Sequence, residues 1–185
     1  MSENTPASGV CLEARLPLGW TVEQESSAAT LDLRRHGNIA LLRALAAIES
    51  AAPEREHDLP EVMQKSLEHL ESKLDLVLLL VAGLARTGAD MPPEKQVTLF
   101  SDRIVWVETV GSAPIEGQRL LTSLYLNPRL PQPLQLPVVV TGIDIQSGYA
   151  HVSAQFDRLD EELGEWLTRT LFRHHRRALH AQRQP

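Results

Sequence analysis

The sequence predicts an α+β protein in which a helical region is followed by a small antiparallel β-barrel and a last helix. Apolar residues recur every three to four positions between residues 58 and 86, and after Pro93 the apolar period shortens to two. We therefore divide the chain into an irregular N-terminal leader, a helical oligomerisation region, and a barrel with a C-terminal helix, at residues 1–25, 26–90 and 91–185.

Two helices are predicted before the barrel, and together they form a helical hairpin. The first covers about Arg34–Ser50, which is rich in the strong helix formers Ala and Leu. Within it, Gly37 and Asn38 mark either a break or the true start, with Asn38 as the cap. The second helix begins at Asp58 with a capping-box arrangement and ends near residue 86.

An apolar stripe runs along the second helix at successive spacings of 4, 3, 4, 3, 4 and 3 residues. A repeat that averages about 3.5 residues keeps one seam facing a partner helix, so the stripe predicts a coiled coil. Leu78 and Leu80 widen the seam, which favours more than two strands and makes a homotetramer our preferred assembly. The alternative is an amphipathic helix that faces the core of a single chain. The predicted interface residues are Met63, Leu67, Leu70, Leu74, Val77, Val81 and Leu84.

Short runs rich in Val, Ile, Leu and Thr follow Pro93, separated by Gly, Pro, Asp and Asn. This pattern is typical of a small antiparallel barrel or sandwich. A last helix is predicted to begin near Asp157, because its acidic start and basic end complement the helix dipole. The predicted strands are Gln96–Phe100, Arg103–Glu108, Gln118–Leu126, Leu134–Thr141 and Gly148–Phe156.

Composition narrows the possible partners and compartments. The net charge of −6 and the 4% aromatic content make a general affinity for nucleic acid or anionic membranes unexpected. Cys11 is the single cysteine, so an internal disulfide is excluded and a reducing compartment is expected. The polar leader does not resemble a signal peptide, and no apolar run approaches the roughly 20 residues of a membrane helix. We therefore expect a cytoplasmic protein without membrane insertion.

Enzyme and cofactor motifs are missing from the sequence. It contains no dinucleotide-binding glycine fingerprint, no Walker loop, no nucleophile elbow and no zinc-protease motif. His174 and His175 are adjacent, whereas two metal ligands on one helix face require a spacing of three or four. We therefore predict no catalytic residues, no metal site and no cofactor.

Several segments of the second half resemble a PilZ domain. The best pieces are the turn Glu116–Leu120 and the strand Gly148–Phe156, followed by the start of the last helix. The segments 124–131 and 171–177, together with the preceding heptad helix, are similar to the atypical, tetramer-forming PilZ proteins of gammaproteobacteria such as xanthomonads. The resemblance covers about half of the chain. It implies a six-stranded barrel with a C-terminal helix and a link to the second messenger cyclic di-GMP.

The nucleotide-binding motifs of that family are degenerate here. The family's Arg-x-x-x-Arg segment corresponds to residues 91–96, where Lys95 is the single basic residue. In the Asp/Asn-x-Ser-x-x-Gly turn, aligned on Ser101, Leu99 occupies the acid position and Ile104 the glycine position. Guanidinium groups would hold the phosphates and the acid would bind the guanine edge, so binding of cyclic di-GMP in the usual mode is not expected.

The resemblance therefore implies a non-catalytic adaptor that binds itself and other signalling proteins. The alternative is a receptor that binds cyclic di-GMP in a non-standard way. A candidate contact for an anion or an acidic partner lies on the last helix, where Arg169, Arg173 and Arg177 share one face. The simpler interpretation of these arginines is a solvated helix end that complements the dipole.

Overall fold

A computed structural model describes residues 10–24, 26–50, 70, 91–127 and 132–183 of the chain. Six strands and two long helices lie in these ranges, together with a 3-10 turn at Val110–Ser112. In chain order the elements are β1 (Leu12–Val22), α1 (Ala28–Ser50), β2 (Glu94–Leu99), β3 (Arg103–Thr109), β4 (Arg119–Leu124), β5 (Leu134–Gln146), β6 (Tyr149–Phe156) and α2 (Glu161–Arg183).

The six strands form a closed antiparallel barrel in the order β1-β2-β3-β6-β5-β4. Strand β1 closes the barrel because it pairs with two strands. Its Leu12–Pro17 half pairs with β2 and its Leu18–Val22 half pairs with β4. The six-stranded barrel and the C-terminal helix predicted from the resemblance are therefore confirmed.

The barrel is filled by side chains from alternate positions of every strand, as the two-residue period of a strand requires. Thr122 is the one hydroxyl among them, and it donates to the carbonyl oxygen of Leu136 at 2.9 Å, so its burial leaves no unpaired donor. The buried apolar residues of the strands are Leu18, Val97, Leu99, Ile104, Trp106, Leu120, Leu124, Leu134, Leu136, Val138, Val140, Ala150, Val152 and Ala154.

Strand β1 corrects the prediction of an irregular leader over residues 1–25. Even-numbered positions from Leu12 to Val22 are apolar, which is a strand pattern, but Pro17 and Gly19 lie between them and are residues that normally disfavour a strand interior, so they conceal the signal. Pro17 is tolerated because β1 changes partner there, and the next amide, on Leu18, donates to the carbonyl of Pro93 at 3.3 Å. Gly19 lies against Pro92, whose Cβ would be 3.3 Å from an added Cβ.

Helix α1 begins earlier than predicted. Its start is capped by Ser27, whose hydroxyl accepts the Thr30 amide at 3.2 Å, so the helix includes six residues before Arg34. Asn38, one of the two predicted starting points, lies inside the helix and is almost fully buried. Its side chain has a different role, since it bonds to the backbone of Gln135 on β5.

The observed bounds of β4, β5 and α2 differ from the predicted bounds by a few residues. Strand β5 continues to Gln146, five residues beyond its predicted end at Thr141, and β4 ends at Leu124. Helix α2 begins at Glu161, because Asp160 accepts the Leu163 amide at 3.1 Å and acts as the cap. The two helices pack through buried residues of α1 (Ile39, Leu41, Leu42 and Leu45) and of α2 (Leu163, Leu167 and Leu171).

The predicted heptad helix lies outside the described residues except for Leu70. That residue is helical and its side chain is 57% exposed in the single chain. The coiled coil therefore stays a prediction. Among the helices that the structure describes, none combines the length and the apolar character needed to cross a bilayer.

Candidate functional site

The degenerate nucleotide motif lies at the turn between β2 and β3. Leu99 and Ile104 face each other in the β2–β3 register, and both are completely buried in the barrel core. The turn is closed by the Phe100 amide, which donates to the carbonyl of Arg103 at 2.9 Å, and Ser101 is exposed at its tip. Of the three motif positions, only Ser101 presents a polar group at the surface.

The single basic residue of segment 91–96 points into the barrel. The ammonium group of Lys95 forms an ion pair with the carboxylate of Glu108, and the two side chains are only 13% and 9% exposed. The indole nitrogen of Trp20 donates to the same carboxylate at 3.3 Å. The charge of Lys95 is therefore compensated inside the protein and is not available to a phosphate at the surface.

The position of β1 changes which segment precedes the first strand of the barrel. That segment is residues 1–11, not residues 91–96 as the sequence analysis assumed, and it contains no lysine or arginine. Sequence reasoning misplaced the segment because it had not recognised β1 as a strand.

The three arginines predicted as an anion contact are only partly described. Arg169 donates to Glu165 one turn earlier at 3.2 Å, and its guanidinium carbon lies 5.3 Å from the centroid of the Trp166 ring. Arg173 is half-buried on the same helix, and the side chain of Arg177 lies outside the described residues. One of the three guanidinium groups is thus already paired with a carboxylate and an aromatic ring.

A network of charged side chains joins the two helices. Arg35 donates to Asp160 at 3.1 Å and to Glu162 at 2.6 Å, and Arg43 donates to Glu162 at 3.0 Å. The hydrogen bond from Arg35 to Asp160 raises the pKa of Arg35 further above its ordinary value, so this group stays cationic. Arg43 also lies 5.3 Å from the Trp166 centroid, on α2. The network therefore fixes α1 against the start of α2.

A half-open cleft of about 560 Å³ lies between α1, the first half of β5 and the loop before α2. It was not found from the sequence, because its arginines come from distant segments of the chain and share no spacing. Arg119 and Arg158 are the most exposed of them, at 61% and 73%, and each is about 4 Å from Asp157. The charged residues that line the cleft are Arg34, Arg35, Arg119, Arg158, Glu23, Asp32, Asp157 and Asp160.

The cleft is lined by charged side chains of both signs. Four arginines and four acids line it, so the net charge is close to zero, and each arginine lies within 4.0 Å of a carboxylate of the cleft. Within the ranges that the structure describes, no group of three His, Cys, Asp or Glu side chains is placed to hold a metal ion.

The sequence matches the family model described as the atypical PilZ domain, cyclic di-GMP receptor, over residues 42–184. The chain belongs to the atypical PilZ family. The match covers more than half of the chain and includes five of the six barrel strands and α2. Membership supports a PilZ-type role in cyclic di-GMP signalling, and PilZ domains are receptor or adaptor domains, not enzymes.

A solved structure from Xanthomonas campestris is similar to this PilZ protein over nearly its whole length. It is 27% identical, covers 94% of this chain and 92% of its own, and has a TM-score of 0.74. That protein is described as a tetrameric PilZ domain that self-assembles through an unusual helical bundle. The Bacillus subtilis inhibitor of motility (MotI/DgrA) aligns at 16% identity over 47% of this chain and 42% of its own, with a TM-score of 0.38, which is too weak to carry an argument. A search of the curated proteins gives no significant match.

Proposed function

We propose that this PilZ protein is a non-catalytic, self-associating adaptor that acts with other signalling proteins and does not hold cyclic di-GMP in the usual mode. The burial of Leu99 and Ile104 carries the proposal. Both lie in the barrel core, where neither can contact a ligand bound to the outside of the barrel. Lys95 is paired with Glu108, so a standard phosphate contact from segment 91–96 is also lacking.

Self-association is the second part of the proposal. We assign it to the heptad stripe Met63, Leu67, Leu70, Leu74, Val77, Val81 and Leu84, with a homotetramer as the assembly. The support is the 3.5-residue repeat, the exposed Leu70 side chain and the tetrameric state described for the Xanthomonas campestris protein. Burying a Leu or Val side chain contributes roughly 1.5–3 kcal/mol, so a stripe of seven strongly favours a shared helical bundle.

The cytoplasm is the proposed place of action. Cys11 is the only cysteine and its thiol is free, which suits a reducing compartment.

Titration calorimetry with cyclic di-GMP tests the nucleotide part of the proposal. We expect no heat of binding up to the highest protein concentration that stays soluble. Binding in the micromolar range would contradict the proposal, provided that the same preparation has the expected solution mass.

The cleft supports a second candidate function, a receptor that binds cyclic di-GMP in a non-standard way. The observation in its favour is that Arg119 and Arg158, both largely exposed, lie together at one cleft wall. Guanidinium groups are suited to phosphate oxygens and stack on guanine. If calorimetry detects binding, Arg119→Ala with Arg158→Ala should abolish it, whereas Arg173→Ala on α2 should leave it unchanged. Loss with Arg173→Ala alone would place the nucleotide on the α2 face instead.

A further inference from the structure

Strand β5 is longer than the strand that pairs with its first half. Strand β4 pairs with residues Leu134–Val139 of β5. The amide and the carbonyl of the next residue, Val140, bond to Gln118 and Gly117, which precede β4. Strand β6 pairs with β5 as far as Gln146. Within the described residues, the stretch from Thr141 to Gln146 therefore has a strand partner on one side only, and its other side is an open sheet edge.

The backbone groups on that edge belong to Ile143 and Ile145. Gln146 and Tyr149 close a two-residue turn in which Ser147 and Gly148 both have positive φ, so Gln146 bonds to β6. Alternate residues of a strand direct their N–H and C=O groups to opposite edges. Asp144 therefore also faces β6, and Ile143 and Ile145 direct their amides and carbonyls outwards.

The surface beside the edge is apolar and acidic. Ile145 on the edge strand is 62% exposed, and Tyr149, which pairs with Gln146 from β6, is 54% exposed. The charged residues of segments 110–118 and 141–150 are Glu116 and Asp144, both exposed. The next cation, Arg119, lies 3.9 Å from the Asp157 carboxylate. A strand added at this edge would bind best if it carried apolar side chains and a cationic group.

We propose that the open edge of β5 binds an extended segment of a partner protein as an added strand. The segment carries apolar side chains at alternate positions and at least one lysine or arginine opposite Asp144 or Glu116. Main-chain hydrogen bonds to Ile143 and Ile145 supply the affinity, and the apolar and acidic neighbours supply the selectivity. This proposal names the partner surface of the adaptor proposed above and rests on that function.

Hydrogen exchange followed by NMR tests the proposal on the full chain. The probe is a capped synthetic heptapeptide of alternating valine and lysine, and its matched control alternates valine and glutamate. The amides of Ile143 and Ile145 should exchange rapidly in the free protein and at least tenfold more slowly with saturating lysine peptide. The glutamate peptide should bind at least tenfold more weakly.

Two substitutions at one position separate the backbone from the side chain. Ile145→Pro removes the outward amide without removing a bond to β6, and should weaken binding of the lysine peptide at least tenfold. Ile145→Thr keeps the amide and should stay within threefold of the original affinity. Equal losses in both variants, or peptide-induced shifts elsewhere on the barrel, would overturn the proposal.

Protection of the Ile143 and Ile145 amides in the free protein would also overturn it. If that protection rises with protein concentration, the occupant is a second copy of this chain. These outcomes can be told apart from a failure of the proposed function, because solution mass and cyclic di-GMP titration do not depend on the β5 edge.

Discussion

Lys95 and Glu108 face each other across the pair of strands β2 and β3, and their charged groups meet inside the barrel. The two side chains are nearly buried, the indole of Trp20 donates to the same carboxylate oxygen as Lys95, and the Thr109 amide donates to the other oxygen at 3.2 Å. An ion pair in such a position depends on both partners, because the removal of one leaves the other charged and without compensation.

The first prediction follows from this pair. Lys95→Met should lower the free energy of unfolding by about 3–5 kcal/mol, since the Glu108 carboxylate stays buried without its cation. Urea denaturation measures the change. The double variant Lys95→Met with Glu108→Leu should recover most of the loss. As a control, Glu165→Gln breaks the exposed pair with Arg169 on α2 and should cost no more than about 1 kcal/mol. A Lys95 variant as stable as this control would contradict the prediction.

Asn38 gives the second prediction, because it joins α1 to β5 through two bonds. Its amide nitrogen donates to the Gln135 carbonyl at 2.7 Å, and its oxygen accepts the Gln135 amide at 2.9 Å. Asn38→Ala should lower the free energy of unfolding by about 1–3 kcal/mol, because both backbone groups lose a partner in a buried site.

Asn38→Asp makes the same contact dependent on pH. The buried position and the facing carbonyl oxygen disfavour the carboxylate, so the pKa of the new side chain is higher in the folded than in the unfolded state. The variant should therefore be closest to the original stability in acid and should lose stability as pH rises above about 4. Denaturation curves between acid and neutral pH measure this trend, and the opposite slope would contradict the assigned hydrogen bonds.

The third prediction concerns the assembly. Leu74→Asp with Val81→Asp should convert the proposed tetramer into smaller species or insoluble protein, because two charges would enter the apolar seam. Light scattering coupled to size exclusion measures the mass. Ser72→Asp places a charge off the stripe and should leave the mass unchanged. A double variant with the mass of the original protein would rule out the heptad seam as the interface.

The turn between β5 and β6 gives the fourth prediction. Ser147 has φ of 53° and Gly148 has φ of 83°, a region that costs most L-residues about 1–2 kcal/mol and that Asn tolerates better than Ser. Ser147→Asn should raise the free energy of unfolding by up to about 1 kcal/mol, and Gly148→Ala should lower it by about 1–2 kcal/mol. Calorimetric melting temperatures should shift in opposite directions, by about 2–4 °C for each kcal/mol.

The barrel could be predicted from the sequence wherever short apolar runs stand between turn residues. Strands β2, β3 and β6 agree with their predicted bounds to within two residues, because local alternation and local turns define them. Strand β1 could not be found in this way. Pro17 and Gly19 normally disfavour a strand interior. Pro17 is acceptable because the strand changes partner there, and Gly19 because Pro92 packs against it, and both are facts of the tertiary structure.

The candidate site was less predictable. The sequence predicted that Leu99 and Ile104 are unsuited to nucleotide binding, which stays a prediction. Their burial, and the pairing of Lys95 with Glu108, became visible only with the strand register. The arginine cleft and the open β5 edge have no local signature. The cleft forms where α1, β4 and β5 lie side by side, and the open edge forms because β5 extends beyond β4. Strand lengths and strand pairing determine both features.

The shared pairing of β1 has a consequence for any attempt to divide this protein. The strand precedes α1 in the chain, so the segment between residues 22 and 94 is in effect an insertion between the first and second strands of the barrel. A fragment that starts at residue 91 would leave one edge of β2 and one of β4 without a neighbour, and two uncovered edges invite aggregation. Closing the ring also requires contacts between residues about 80 positions apart, which slows folding. A division of the chain at residue 91 would therefore remove one strand of the barrel itself.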